Sequence, residues 1–177
     1  RKIIVYSRFV EIDFPVVNYA ARCKNSAERW QRPLSTWMVV EDEPDIYEVL
    51  LAMFGIWGIE GVAFVDGEEA ISWIDDVDNK RFQGELPELA LLDIRLPGDI
   101  DGPGVGARLR QSSALKNVAI VLTTAYHLTP DEEKTVIKKA DADRLIYKPL
   151  PKFNELQTVL EGIIAERREK TRNTASD

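Results

Sequence analysis

From Trp37 onward, short apolar runs alternate with stretches in which apolar residues recur every three or four positions. Trp37-Met38-Val39-Val40 is too short for a helix, stops at Glu41-Asp42-Glu43 and suits a buried strand. Pro44 and Asp45 open a helical pattern with Ile46, Val49, Leu50, Met53 and Phe54 on one face, ended by Gly55 and Gly58. Gly61-Val62-Ala63-Phe64-Val65 reads as a second strand, and Asp66-Gly67-Glu68-Glu69 starts a helix whose apolar face is Ala70, Ile71, Ile74 and Val77. After a polar loop with Gly84 and Pro87, the run Leu89-Ala90-Leu91-Leu92 is the most apolar strand and ends in the carboxylate of Asp93. A helix from Gly102 uses Val105 and Leu109, and the strand Val118-Ala119-Ile120-Val121-Leu122 runs into Thr123-Thr124-Ala125. Thr129-Pro130-Asp131-Glu132 carries the cap hydroxyl, proline and acidic first turn that start a helix. Arg144-Leu145-Ile146-Tyr147 is a last strand closed by Lys148-Pro149. A long helix over 151 to about 170 then has Phe153, Leu156, Val159, Leu160, Ile163 and Ile164 inward. Five strands alternating with five helices predict an α/β domain with a mostly parallel sheet covered on both faces.

A length of 177 residues and 45% hydrophobic with 30% charged residues fit one globular domain and exclude wholesale disorder or a fibrous repeat. The single cysteine, Cys23, excludes an internal disulfide framework and fits a reducing compartment. No apolar run approaches the roughly 18 residues of a membrane span. Arg8, Glu11 and Asp13 interrupt the N-terminal apolar patch too early for a signal-peptide core, so a cytoplasmic location is expected.

The net charge of −7 is unevenly distributed. Residues 1–36 hold seven Lys/Arg against three Asp/Glu, a basic leader on an acidic body, with a boundary near Pro33. An acidic body is a poor nucleic-acid binder, so neither nucleic acid nor membrane is expected as a direct partner. The leader combines a strand-like Ile3-Ile4-Val5-Tyr6 with a short helical stretch from Val16 to Trp30. It is expected to pack loosely on the domain, and a dimerisation arm giving a homodimer is the sharper alternative.

In an open α/β sheet, ligands bind beyond the carboxyl ends of the strands. The polar residues there are Glu41 and Asp42, Asp93, Thr123 and Thr124, and Lys148. Three carboxylates, a hydroxyl and an ammonium suit a hard cation that bridges to phosphate oxygens. A carboxylate can itself attack phosphorus to give an acyl phosphate while the metal and lysine offset charge on the transferring group.

These residues resemble the receiver domain of two-component response regulators. The matching elements are Val39-Val40-Glu41-Asp42-Glu43-Pro44-Asp45, Leu91-Leu92-Asp93-Ile94-Arg95-Leu96-Pro97-Gly98, Thr124-Ala125 and Lys148-Pro149-Leu150, in the family's order, over residues 37–168. The resemblance implies a flavodoxin-like doubly wound fold, a five-stranded parallel sheet of order 2-1-3-4-5 with helices on both faces. It implies that Asp93 accepts a phosphoryl group from a sensor histidine kinase or histidine phosphotransfer protein, with signalling onward to an unidentified downstream protein. Mg²⁺ or Mn²⁺ would be held directly by Asp42, Asp93 and the backbone carbonyl of Arg95, with Glu41 acting through water. Lys148 would pair with Asp93 and its phosphoryl group, Thr124 would be the switch hydroxyl, and the Ala125 backbone would also meet the phosphoryl group. The domain would not be an enzyme beyond self-phosphorylation from small donors and self-dephosphorylation. With residues 169–177 read as a tail and no output domain after them, a stand-alone receiver is expected, using its fourth helix, fifth strand and fifth helix as contact surface.

Some positions depart from the family's pattern. Leu145 stands where an aromatic is usual, and Tyr147 is expected to point to the opposite sheet face. The run Gly98-Asp99-Ile100-Asp101-Gly102 is one residue longer than the common spacing, which would reshape the loop beside Asp93. Arg95 and Tyr126, two residues beyond Asp93 and Thr124, are bulky enough to shield an acyl phosphate from water, predicting a long-lived phosphoryl form.

Singly, each element has a plainer reading. Glu41-Asp42-Glu43 are acids at a helix N-terminus, Thr123 and Thr124 strand residues, Lys148 a surface lysine, His127 a surface or hinge residue and Cys23 a buried or inert thiol. Gly102-Pro103-Gly104-Val105-Gly106 lacks the Lys-Ser/Thr ending of a phosphate loop and reads as a loop entering a helix. The rival functions are a flavodoxin-like small-molecule-binding domain and an aspartyl-phosphate-type phosphotransfer enzyme.

Overall fold

A computed structural model of the chain describes residues 4–5 and 35–174. The strands are β1 (Ile4–Val5), β2 (Thr36–Val40), β3 (Glu60–Phe64), β4 (Leu89–Asp93), β5 (Ala119–Thr124) and β6 (Arg144–Tyr147). The helices are α1 (Pro44–Trp57), α2 (Gly67–Asp78), α3 (Gly102–Gln111), α4 (Pro130–Ala140) and α5 (Phe153–Thr174). All strand pairs are parallel, in the order β1-β3-β2-β4-β5-β6. From Thr36 onward this is the expected 2-1-3-4-5 sheet. The short β1 extends it beside β3, pairing Ile4 with Val62 and Val5 with Ala63. Cys23 and the stretch Val16 to Trp30 lie outside the described residues.

The strands read as near-continuous apolar runs because both sheet faces are buried. Side chains alternate across the pleat. Met38, Val40, Ala90, Leu92, Ile120 and Leu122 face α2, α3 and α4, whereas Trp37, Val39, Leu89, Leu91 and Val121 face α1 and α5. On the α1/α5 side the rings of Trp37, Phe54, Trp57 and Phe153 form a connected aromatic cluster, with contacting centroids 5.1–6.1 Å apart.

Helix boundaries follow local chemistry, with departures from the sequence reading; on α1, Val49 is exposed while Tyr47 and Leu51 are buried. Helix α1 runs past Gly55 to Trp57 and stops at Gly58, whose φ of 78° provides the left-handed cap. In α2, Trp73 joins Ala70, Ile74 and Val77 in the core while Ile71 is only half-buried. Asp66 caps α2 by accepting the Glu69 N–H at 2.7 Å. At α4, Thr129 and Glu132 form a reciprocal capping box. Helices α3 and α4 approach closely where Gly106 meets Ala140; a Cβ on Gly106 would stand 2.7 Å from the Ala140 Cβ.

Strand register aligns the polar ends. Val40 pairs with Leu92, Asp93 with Thr123, and Thr124 with Tyr147. Glu41, one residue past Val40, therefore emerges beside Asp93, and Lys148 follows Tyr147 at the same edge.

Candidate functional site

The carboxyl edge of β2, β4 and β6 holds one cluster of charges. Glu41, Asp42 and Asp93 each offer a carboxylate oxygen, and these oxygens lie within 4.8 Å of one another. Glu41 and Asp93 are 2% and 7% exposed, whereas Asp42 faces solvent. Between the two buried acids sits Lys148, whose Nζ lies 2.8 Å from Glu41 Oε2, 2.9 Å from Asp93 Oδ1 and 3.5 Å from Glu43 Oε1. The second oxygen of Asp93 accepts the Arg95 backbone N–H at 2.9 Å.

Burial sets the electrostatics. It pushes the carboxyls of Glu41 and Asp93 above their ordinary values, and the hydrogen bonds and charge of Lys148 oppose it. For Lys148, burial pulls the pKa down, but the bonds to Glu41 and Asp93 outweigh it and the ammonium is held above its usual value. Two buried acids share one firmly protonated base, so the cluster carries net negative charge with Asp42 at its mouth. A hard cation coordinated by oxygen suits this donor set.

The loop after β4 is built around close backbone approaches. A Cβ on Gly102 would collide with the Asp93 carbonyl oxygen, so glycine is required where α3 begins. Asp101 caps α3 through the Gly104 N–H at 2.7 Å and pairs with Lys139 of α4 at 2.8 Å. Gly98 has φ +90° and lies against Glu68 of α2, whose Oε1 accepts the Asp99 N–H at 2.7 Å. The segment 102–106 is thus the start of α3 itself.

Thr124 is buried at the end of β5, and its hydroxyl accepts the Tyr126 backbone N–H at 3.1 Å instead of joining the carboxylates. Ala125 is exposed just beyond it. Across the mouth, the Arg95 guanidinium lies 3.7 Å from the centroid of the half-exposed Tyr126 ring, a cation–π contact joining the loops after β4 and β5.

The structure corrects one expectation. Tyr147 shares a sheet face with Leu145, because residues two apart on a strand point the same way. Leu145 packs with the α2/α3/α4 core, and Tyr147 reaches Glu133 of α4 with its hydroxyl and stacks on His127. Sequence reasoning also passed over Glu43 as a partner of Lys148; only the convergence of strand ends brings it there.

The described helices include none long and apolar enough to cross a membrane. Residues 37–161 match the family model described as the response regulator receiver domain. The chain is 32% identical over 128 residues to the "Probable transcriptional regulator ycf27" of Porphyridium aerugineum, covering 72% of this chain and 47% of that protein. It is 27% identical over 120 residues to the polar-differentiation response regulator DivK of Brucella anthropi, covering 67% and 89%. Thus the chain spans about half the length of the ycf27 relatives it matches. Among solved structures it is similar to the receiver domain of the sensor histidine kinase PA1611 of Pseudomonas aeruginosa, which has a magnesium ion coordinated in its active-site cleft. That match has 26% identity and a TM-score of 0.61, covering 75% of this chain and 99% of that one.

Proposed function

The chain belongs to the response regulator receiver domain family, and on that ground we propose that Asp93 is the phosphoacceptor of a two-component relay. The donor is a phosphohistidine on a sensor kinase or histidine phosphotransfer protein. A carboxylate oxygen of Asp93 bonds to phosphorus as the N–P bond breaks, and the imidazole leaves with the electron pair. The observation that carries this reading is the single Lys148 ammonium shared by buried Glu41 and Asp93, with the Arg95 N–H fixing the second Asp93 oxygen.

Each residue has a defined task. Lys148 keeps Asp93 ionised against burial and pairs with the incoming phosphoryl oxygens. Asp42, Asp93 and the Arg95 carbonyl would hold Mg²⁺ or Mn²⁺, with Glu41 acting through water; the ion supplies charge neutralisation at the phosphoryl oxygens. Thr124 turns its hydroxyl from the Tyr126 N–H to a phosphoryl oxygen, and the Ala125 N–H donates alongside. The Arg95–Tyr126 stack narrows the approach of water and lengthens the life of the acyl phosphate. Uptake from a small donor such as acetyl phosphate, and slow self-hydrolysis, need only these groups.

A flavodoxin-like small-molecule-binding reading fits less well, since Glu41, Asp42 and Glu43 follow β2 where a phosphate-binding loop would be needed. Acetyl phosphate and Mg²⁺ followed by intact mass should add one phosphoryl group to the chain and none to Asp93→Asn. A gain that persists in Asp93→Asn would remove Asp93 from this role.

A further inference from the structure

We propose that Tyr147 reports the state of the Asp93 site to α4, through a stack on His127 and a hydroxyl tether to Glu133. This rests on the phosphoacceptor reading and assigns the transmitting role to a residue outside the charge cluster. Tyr147 is the register partner of Thr124, and the Lys148 N–H donates to the Thr124 carbonyl at 2.7 Å, so the end of β6 is fixed to the switch residue. The Thr124 hydroxyl holds the Tyr126 N–H. When that hydroxyl turns to a phosphoryl oxygen, the N–H loses its acceptor and the segment carrying Tyr126 and His127 is released from Thr124.

His127 is exposed and its ring lies stacked 6.1 Å from that of Tyr147 at an interplanar angle of 29°. The Tyr147 hydroxyl donates to Glu133 in the first turn of α4. Displacing His127 removes one support of the Tyr147 ring while the other end stays attached to the helix. Ring and first turn then shift together. Leu145 lacks a polar tip and packs against the α2/α3/α4 core, so it offers no such tether to α4.

The test uses the full chain labelled with 3-fluorotyrosine, in which Tyr147→Phe assigns the Tyr147 ¹⁹F resonance. Acetyl phosphate with Mg²⁺ transfers a phosphoryl group to Asp93 and releases acetate, and intact mass records the transfer. The expected result is a shifted Tyr147 resonance in the phosphorylated protein and faster amide exchange in the first turn of α4. His127→Ala should take up phosphoryl like the parent yet lose most of the Tyr147 shift. Tyr147→Phe should take it up and lose the change in α4 exchange. Phosphorylation with an unmoved Tyr147 resonance, or with the α4 change intact in Tyr147→Phe, overturns the proposal and leaves the phosphoacceptor reading standing. Absence of any mass gain overturns both.

Discussion

Replacing Lys148 with methionine keeps the length of the side chain and removes the one cation shared by Glu41 and Asp93. The Lys148 side chain is only 8% exposed and bonds both buried acids at 2.8–2.9 Å, so the acids lose their counter-charge without gaining water. Removing one partner of a buried ion pair costs about 3–5 kcal/mol. At about 2–4 °C per kcal/mol for a chain of this size, Tm should fall by about 10 °C.

The loss should depend on pH in a set direction. Glu41 and Asp93 already have folded-state pKa values raised by burial. A carboxyl of that kind contributes stability that is full below its unfolded pKa and is lost as pH rises through its folded value. Without Lys148 both values rise further, so the gap between variant and parent should narrow on going from about pH 7.5 to about pH 5. Mg²⁺ at a hundredfold excess over its dissociation constant should add about 2.7 kcal/mol to any form that binds it. Urea unfolding at both pH values, with EDTA or Mg²⁺ and with Lys148→Arg as the charge-retaining control, measures each difference. A gap that stays the same at both pH values would refute the electrostatic argument and reduce Lys148 to a packing residue.

Four further outcomes are expected. Gly106→Ala should destabilise by about 1–2 kcal/mol, overpacking against Ala140 outweighing better helix propensity. Gly55→Ala, open on α1, should stabilise by about 0.5–1 kcal/mol in the same denaturation assay. The Ser112 hydroxyl, bonded to Asp78, together with Arg108, holds the Asp78 carboxyl below its usual range. That contribution is present above the unfolded pKa and lost as pH falls through the folded one, so Ser112→Ala should cost about 1–2 kcal/mol at neutral pH and less in acid. Arg95→Asn with Tyr126→Ala should hasten loss of the phosphoryl group roughly fivefold, the equivalent of about 1 kcal/mol for a cation–π contact. Equal decay in parent and double variant would remove the shield.

Where the sequence was informative, the reason is physical. A strand buried on both faces has little use for a carboxylate at its end, so Asp93 after Leu89-Ala90-Leu91-Leu92 stood out, as did Glu41 after Trp37-Met38-Val39-Val40. The cap at Thr129 was equally plain, because a hydroxyl, a proline and acids at fixed offsets satisfy the first turn locally. The hidden features depend on partners distant in sequence. The contact of Gly106 with Ala140 follows from how α3 and α4 lie, and nothing near either residue signals it. Likewise, only parallel pairing shows that Ile4–Val5 adds to β3. The error over Tyr147 was one of parity, which counting by two from Leu145 resolves.

The Lys148–Glu41 bond spans 107 positions of the chain, which bears on how the protein is made. Ribosomes add about 5–20 residues per second and expose the N-terminal part first. Glu41 and Asp93 therefore emerge seconds before Lys148, on strands whose pairing must wait for distant segments and is intrinsically slow. During that interval the two acids have no base to share. Arrival of β6 delivers the cation that Glu41 and Asp93 share, so the charge cluster is complete only once that strand has paired.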